Sequence, residues 1–221
     1  MFKLLATAVI MVAIATSCTS ASQTESSPIS DRTITVTPIM SQTPSASSDE
    51  PILVFFTSEQ GKFQVWLPVS GSIQEYSITL MFFGKSTECF MTASRLNSAG
   101  ASAQYCDLDP KDVASLSDNT ILEEVRNTLT KEFRLRVDQE QMELVEDVYP
   151  ALSLSGRADM TAAGANDGTF KARIILVENR VYIIHMSVYH IDWCSCRHQM
   201  DQVIDSLYIN PDLSIPFEPT P

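Results

Sequence analysis

Positive charge is scarce. Lys and Arg number 15 against 27 Asp and Glu, for a formal net charge of −12. Nowhere do the cations run together. Nucleic acid and anionic lipid surfaces both require cationic partners, so neither is expected as a ligand. Long apolar runs are missing too once the first residues are passed. Ile174–Val177 is far short of the ~20 residues that span a bilayer as a helix. Catalytic punctuation is also absent. No G-x-S-x-G nucleophile elbow occurs. Gly164-Ala165-Asn166-Asp167-Gly168 lacks the lysine and helix setting of a phosphate loop. Neighbouring carboxylates such as Glu123-Glu124 and Glu146-Asp147 read as solvated surface. Together these absences point away from an enzyme, and no cofactor is expected.

What is present begins with a leader. Met1-Phe2-Lys3 is a short basic start, Leu4–Ile14 is apolar apart from Thr7, and small residues lead to Cys18. That layout is a secretory signal. Ala15-Thr16-Ser17-Cys18 resembles the lipobox of bacterial lipoproteins, departing from it in having Ala15 where Leu is usual. The resemblance implies cleavage after residue 17, lipidation of Cys18 and stable anchoring through several acyl chains. The expected location is extracytoplasmic, on a bacterial membrane facing the periplasm or the cell surface. Residues 18–50 then read as a tether, since 18 of the 32 residues from 19 to 50 are Ser, Thr or Pro. Such a segment buries too little apolar surface to offset its ordering entropy.

The folded domain is expected over 51–210, with a loose proline-bearing tail over 211–221. Phe63, Val65 and Leu67 alternate, as do Tyr76, Ile78, Leu80 and Phe82, which is the period of half-buried strands. Glu88–Arg95 and Ala103–Leu108 are two further strands. Thr120 and Glu123 have capping-box spacing, followed by an apolar stripe of Ile121, Leu122, Val125, Leu129 and Phe133. Met142–Val148, closed by Pro150, and Gly156–Thr161 read as short strands. Phe170–Leu176 and Val181–Tyr189 form a strand pair about a turn at Glu178-Asn179-Arg180. The second is apolar on both faces, as in a central strand. Met200, Val203, Ile204 and Leu207 carry a closing helix, and Tyr208-Ile209 a short edge strand. Hairpins dominate, so the class is α+β: a mainly antiparallel sheet with helices packed on it.

Gly61-Lys62-Phe63-Gln64-Val65-Trp66-Leu67-Pro68 resembles the opening strand of PsbP-like domains. Asp167–Val188, with Asn179-Arg180-Val181-Tyr182, is similar to their paired late strands, and Met200–Ile209 to their closing helix, with Leu207 where Phe is common. The resemblance covers roughly residues 52–210. It implies an α/β/α sandwich. That family holds accessory proteins of the photosynthetic oxygen-evolving complex, a Ran-binding regulator and many bacterial lipoproteins. The resemblance therefore implies a non-enzymatic binding or assembly module with a protein partner. No family binding residue maps onto a position here.

Two constellations carry chemistry. A hairpin centred on Ser98-Ala99 sets Cys89 opposite Cys106, close enough for a disulfide. His190-Ile-Asp-Trp-Cys194-Ser-Cys196-Arg-His198 gathers imidazoles and thiols in a loop. Cys194 and Cys196 are disulfide candidates, with each other or across the domain. The alternative function is a metal-binding or thiol-active protein. Cys194, Cys196 and His198, with His190, would be the ligands, since imidazole and thiolate suit zinc and copper. The C-x-C spacing is shorter than the common C-x-x-C, and free thiols are a third possibility. His185 is expected to be a satisfied strand residue.

Overall fold

The computed structural model describes residues 52–69, 73–95, 99–159, 167–189 and 193–210. The leader, Cys18, the tether, His190 and the tail lie outside them. The described residues form, in order, β1 Ile52–Ser58, β2 Phe63–Val69, β3 Gln74–Phe82, β4 Lys85–Arg95, β5 Ala99–Asp107, α1 Pro110–Val113, α2 Asp118–Glu132, β6 Leu135–Val145, β7 Tyr149–Asp159, β8 Asp167–Val177, β9 Arg180–Tyr189, α3 Trp193–Asp205 and β10 Tyr208–Ile209. They build a seven-stranded sheet of order β3-β4-β5-β9-β8-β7-β6 and a three-stranded sheet of order β1-β2-β10. Every strand pair is antiparallel.

β9 lies between β5 and β8, and its side chains alternate between two cores. Val181 and Ile183 join Leu122, Val125 and Leu129 of α2, all at most 2% exposed. Tyr182, Ile184 and Met186 join Phe63 and Leu67 of the small sheet and Val203 of α3. This is why the segment carries apolar residues on both faces. On the second side the cover is a helix and a three-stranded sheet together, rather than helix alone.

Several boundaries differ from the sequence expectation. The cap of α2 is Ser117, whose hydroxyl accepts the Thr120 N–H at 3.3 Å. Thr120 is already inside the helix, so its spacing to Glu123 is not the capping pair. Pro110 fills the first helical turn of α1 behind the cap Asp109, where its missing N–H costs nothing. The strands expected at Met142–Val148 and Gly156–Thr161 are instead the long hairpin β6–β7, with Pro150 inside β7, opposite Leu144. The turn between them is Glu146-Asp147, with φ of 55° and 57°. Two successive residues in the left-handed region form the mirror-image hairpin turn normally written with Asn or Gly, so the sequence carries no turn signal there. Gly156 has a different necessity. A Cβ there would lie 2.0 Å from the Arg136 carbonyl oxygen, beside the bulge that interrupts β6 between Val137 and Gln139.

Candidate functional site

The cysteine pair comes first. Cys89 and Cys106 are opposed in the β4–β5 ladder and joined by a disulfide with Cα atoms 4.4 Å apart. Both are fully buried against α2. The bond links neighbouring central strands and is a structural staple.

The His/Cys segment is helical where it is described. Trp193–Asp205 is α3, so Cys194 and Cys196 stand on helical backbone instead of the expected loop. His198 is exposed, with Nε2 3.1 Å from Nε2 of Gln202. His190 lies outside the described residues. Among the described residues no group of three or more His, Cys, Asp or Glu is placed to hold a metal. Among them, too, no helix is long and apolar enough to cross a membrane.

Beneath the end of α2 lies a polar feature that periodicity did not reveal. The ladder sets His185 of β9 between Ser102 of β5 and Ala172 of β8. Its ring stacks on Phe133, the C-cap of α2, at 5.9 Å and lies 6.1 Å from Phe170. It is a strand residue packed into the core, as expected, but its Nε2 is enclosed without a hydrogen-bond partner, so that nitrogen is not satisfied. Burial alone pushes the imidazole down to about 4, since no nearby charge contributes. Gln104, on the same face and 1% exposed, has neither amide atom partnered.

On the opposite face, Arg173 of β8 reaches α3. It donates to Glu143 at 2.8 Å, Asp205 at 2.9 Å and the Ile204 carbonyl at 3.1 Å. Lys171 pairs with Asp201. These pairs line a groove of about 590 Å³ between α3 and β6–β8, and their charges are spent within the protein.

The remaining feature is the outer edge of the sheet. Among the described residues β6 pairs only with β7. After the bulge its even positions face the α2 side, as the 3.0 Å pair between Arg126 of α2 and Glu140 shows. The α2 core reaches β6 at Leu135 and Val137, before the bulge, but past it extends only to Leu152 and Leu154 of β7. Met142 and Leu144 are left 46% and 61% exposed, and Val148 beyond the turn is 66% exposed. Glu140, Glu146 and Asp147 are exposed around them, and Glu143 is half-buried on the other face. Partial burial raises the Glu146 carboxyl above its ordinary value.

With this geometry, no family model matches the chain, and no curated protein matches it. Among solved structures it is similar to the solution structure of a cyanobacterial PsbP protein, CyanoP from Synechocystis sp. PCC 6803. The TM-score is 0.48 and the identity 11%, covering 76% of this chain and 98% of that one. It is also similar to the crystal structure of PA94 from Pseudomonas aeruginosa, at TM-score 0.35 and 11% identity over 76% and 99%. At these values neither match carries a statement about activity, partner or location.

The cysteine pair of the sequence reading is therefore brought together. The described part of the His/Cys segment is a helix start. The exposed apolar edge was missed, because alternation of Met142 and Leu144 reads as burial. Only the strand order shows that β6 is terminal.

Proposed function

We propose that the chain is an extracytoplasmic lipoprotein, anchored through Cys18, whose PsbP-like α/β/α domain binds or organises a protein partner and performs no catalysis. The leader and lipobox pattern supports the anchor, and the Ser/Thr/Pro tether supports a domain held away from the membrane. The observation that carries the binding role is the neighbouring exposed apolar pair Met142 and Leu144, with Val148 exposed in the following turn, on a strand that has one partner among the described strands. Scattered apolar residues are ordinary on surfaces, whereas contiguous ones mark interaction sites. The test has two arms. Cys18→Ala should move the protein from the membrane to the soluble fraction, and unchanged fractionation would remove the anchor. Crosslinking in native membranes should trap a defined partner with the wild-type chain. A chain that crosslinks to no protein would sink the binding role.

A further inference from the structure

We propose that the outer edge of β6, from Gln139 to Val145, accepts an extended segment of a partner protein as an added strand, with apolar residues alternating with basic ones. The inference rests on the binding role above and names its surface and partner chemistry.

Strand addition needs unpaired backbone groups, and pockets or faces that read alternate side chains. β6 is an 11-residue strand with one neighbour among the described strands. Natural proteins protect such edges by bulges and charges. Here the protection is confined to one half. The bulge lies between Val137 and Gln139, next to Arg136, Asp138 and Arg157, whose ion pairs occupy that end. From Gln139 onward the ladder with β7 is regular to Val145. In this half the two faces differ. Met142 and Leu144 stand on the α2 side, and Gln141 and Glu143 on the other. A strand laid alongside would place apolar residues beside Met142 and Leu144 and polar ones beside Gln141 and Glu143.

Charge selects among occupants. The hairpin 135–149 carries Asp138, Glu140, Glu143, Glu146 and Asp147 against one cation, Arg136. Glu140 and Glu143 are already paired with Arg126 and Arg173. Glu146 and Asp147 project at the open end, on a turn whose backbone is strained at both residues. A second copy of this chain would bring the same carboxylates against one another, whereas a basic segment complements them. The other sheet edge is less suited. On β3 the exposed apolar side chains Tyr76 and Met81 stand on opposite faces by strand alternation, with exposed polar Ser77 and Thr79 between them, so no face presents an apolar pair.

The experiment uses the full chain carrying Cys18→Ala and synthetic peptides of eight alternating residues: Lys/Val, Glu/Val, and a Lys/Val scramble that breaks the alternation. The Lys/Val peptide should slow amide exchange from Gln139 to Val145 at least tenfold. It should bind at least tenfold more weakly to Met142→Glu/Leu144→Glu, and more weakly to Glu146→Gln/Asp147→Asn and at raised salt. Equal binding of the Glu/Val or scrambled peptide would overturn the proposal, as would protection confined to β3. Concentration-dependent protection of β6 without peptide would assign the edge to a second copy and overturn it too. Should β6 stay unprotected while native-membrane crosslinking still traps a partner, this surface is wrong and the binding role stands.

Discussion

On the face beneath α2, the large sheet is covered by one helix, and the Cys89–Cys106 disulfide staples two of its strands. On the opposite face it meets a cluster of aromatic rings and is tied down by two arginines, Arg173 to β6 and α3 and Arg180 to Asp107 and the β1–β2 turn. Phe63 meets Phe56, Tyr105 and Tyr182 with ring centroids 6.2–6.3 Å apart, and Phe90 stacks on Tyr105 at 5.2 Å. Arg180 forms two bonds to Asp107, at 2.6 and 2.8 Å, and donates to the carbonyls of Gln60 and Gly61. Its guanidinium sits 4.8 Å from the Tyr105 centroid. The difference follows from how each layer is made. α2 is one continuous helix with its own cap and stripe, and needs only a matching apolar floor. The other layer is assembled from β1, β2, α3 and β10, segments far apart in the chain. Directional contacts set its register: Arg180 to the β1–β2 turn, and the Ser206 hydroxyl accepting the Trp66 N–H at 3.0 Å.

If the layers are separately held, damage to each should stay local at first. The largest effect is expected from Phe63→Ala, about 3–5 kcal/mol of stability by denaturant unfolding. Amide exchange should rise first in β1, β2 and β10. Equal loss of protection in β4 and β5 would erase the distinction between the faces. Next comes the staple. Cys89→Ala with Cys106→Ala closes no loop in the unfolded chain and should cost about 3 kcal/mol, the value expected for a loop near 15 residues. Both sulfurs are buried against α2, so helix and sheet should loosen together.

The most specific effect, small near neutrality, is on pH. His185 takes a proton less readily in the fold, at about 4, than its ordinary 6.5. The unfolded chain therefore binds more protons between those values, and the native state loses stability as pH falls from about 6.5 towards about 4. The slope is at most ~1.4 kcal/mol per pH unit. His185→Gln should flatten that part of the stability profile and leave the neutral side unchanged. A profile as steep as the wild type's would mean that other groups drive acid sensitivity.

Much of this architecture could be read in advance, for identifiable reasons. Alternation exposed β2, β3, β8 and β9, and the opposition of Cys89 and Cys106 followed from one turn position. What stayed hidden depended on non-local pairing. Glu146-Asp147 turns the chain without a turn residue, so β6–β7 was misplaced along the sequence. Ser117 caps α2 because its neighbour Thr120 offers an N–H, and either could cap on spacing alone. His185 and Gln104 are on strands whose other residues are apolar, and nothing in the pattern shows that their polar atoms lack partners. The free edge is a property of strand order, which no single strand encodes.

The three-stranded sheet places β2 between β1 and β10, so the first and last strands of the domain share one neighbour. This imposes a timetable on a chain delivered from its N-terminus. The β3–β4–β5 hairpins can close as they emerge, but the small sheet stays one strand short until Tyr208 and Ile209 arrive to pair with Gln64 and Phe63. A chain stalled or trimmed just before residue 208 would therefore leave one side of β2 unpaired. Pairing of those two residues is what converts β2 from an edge strand into a central one.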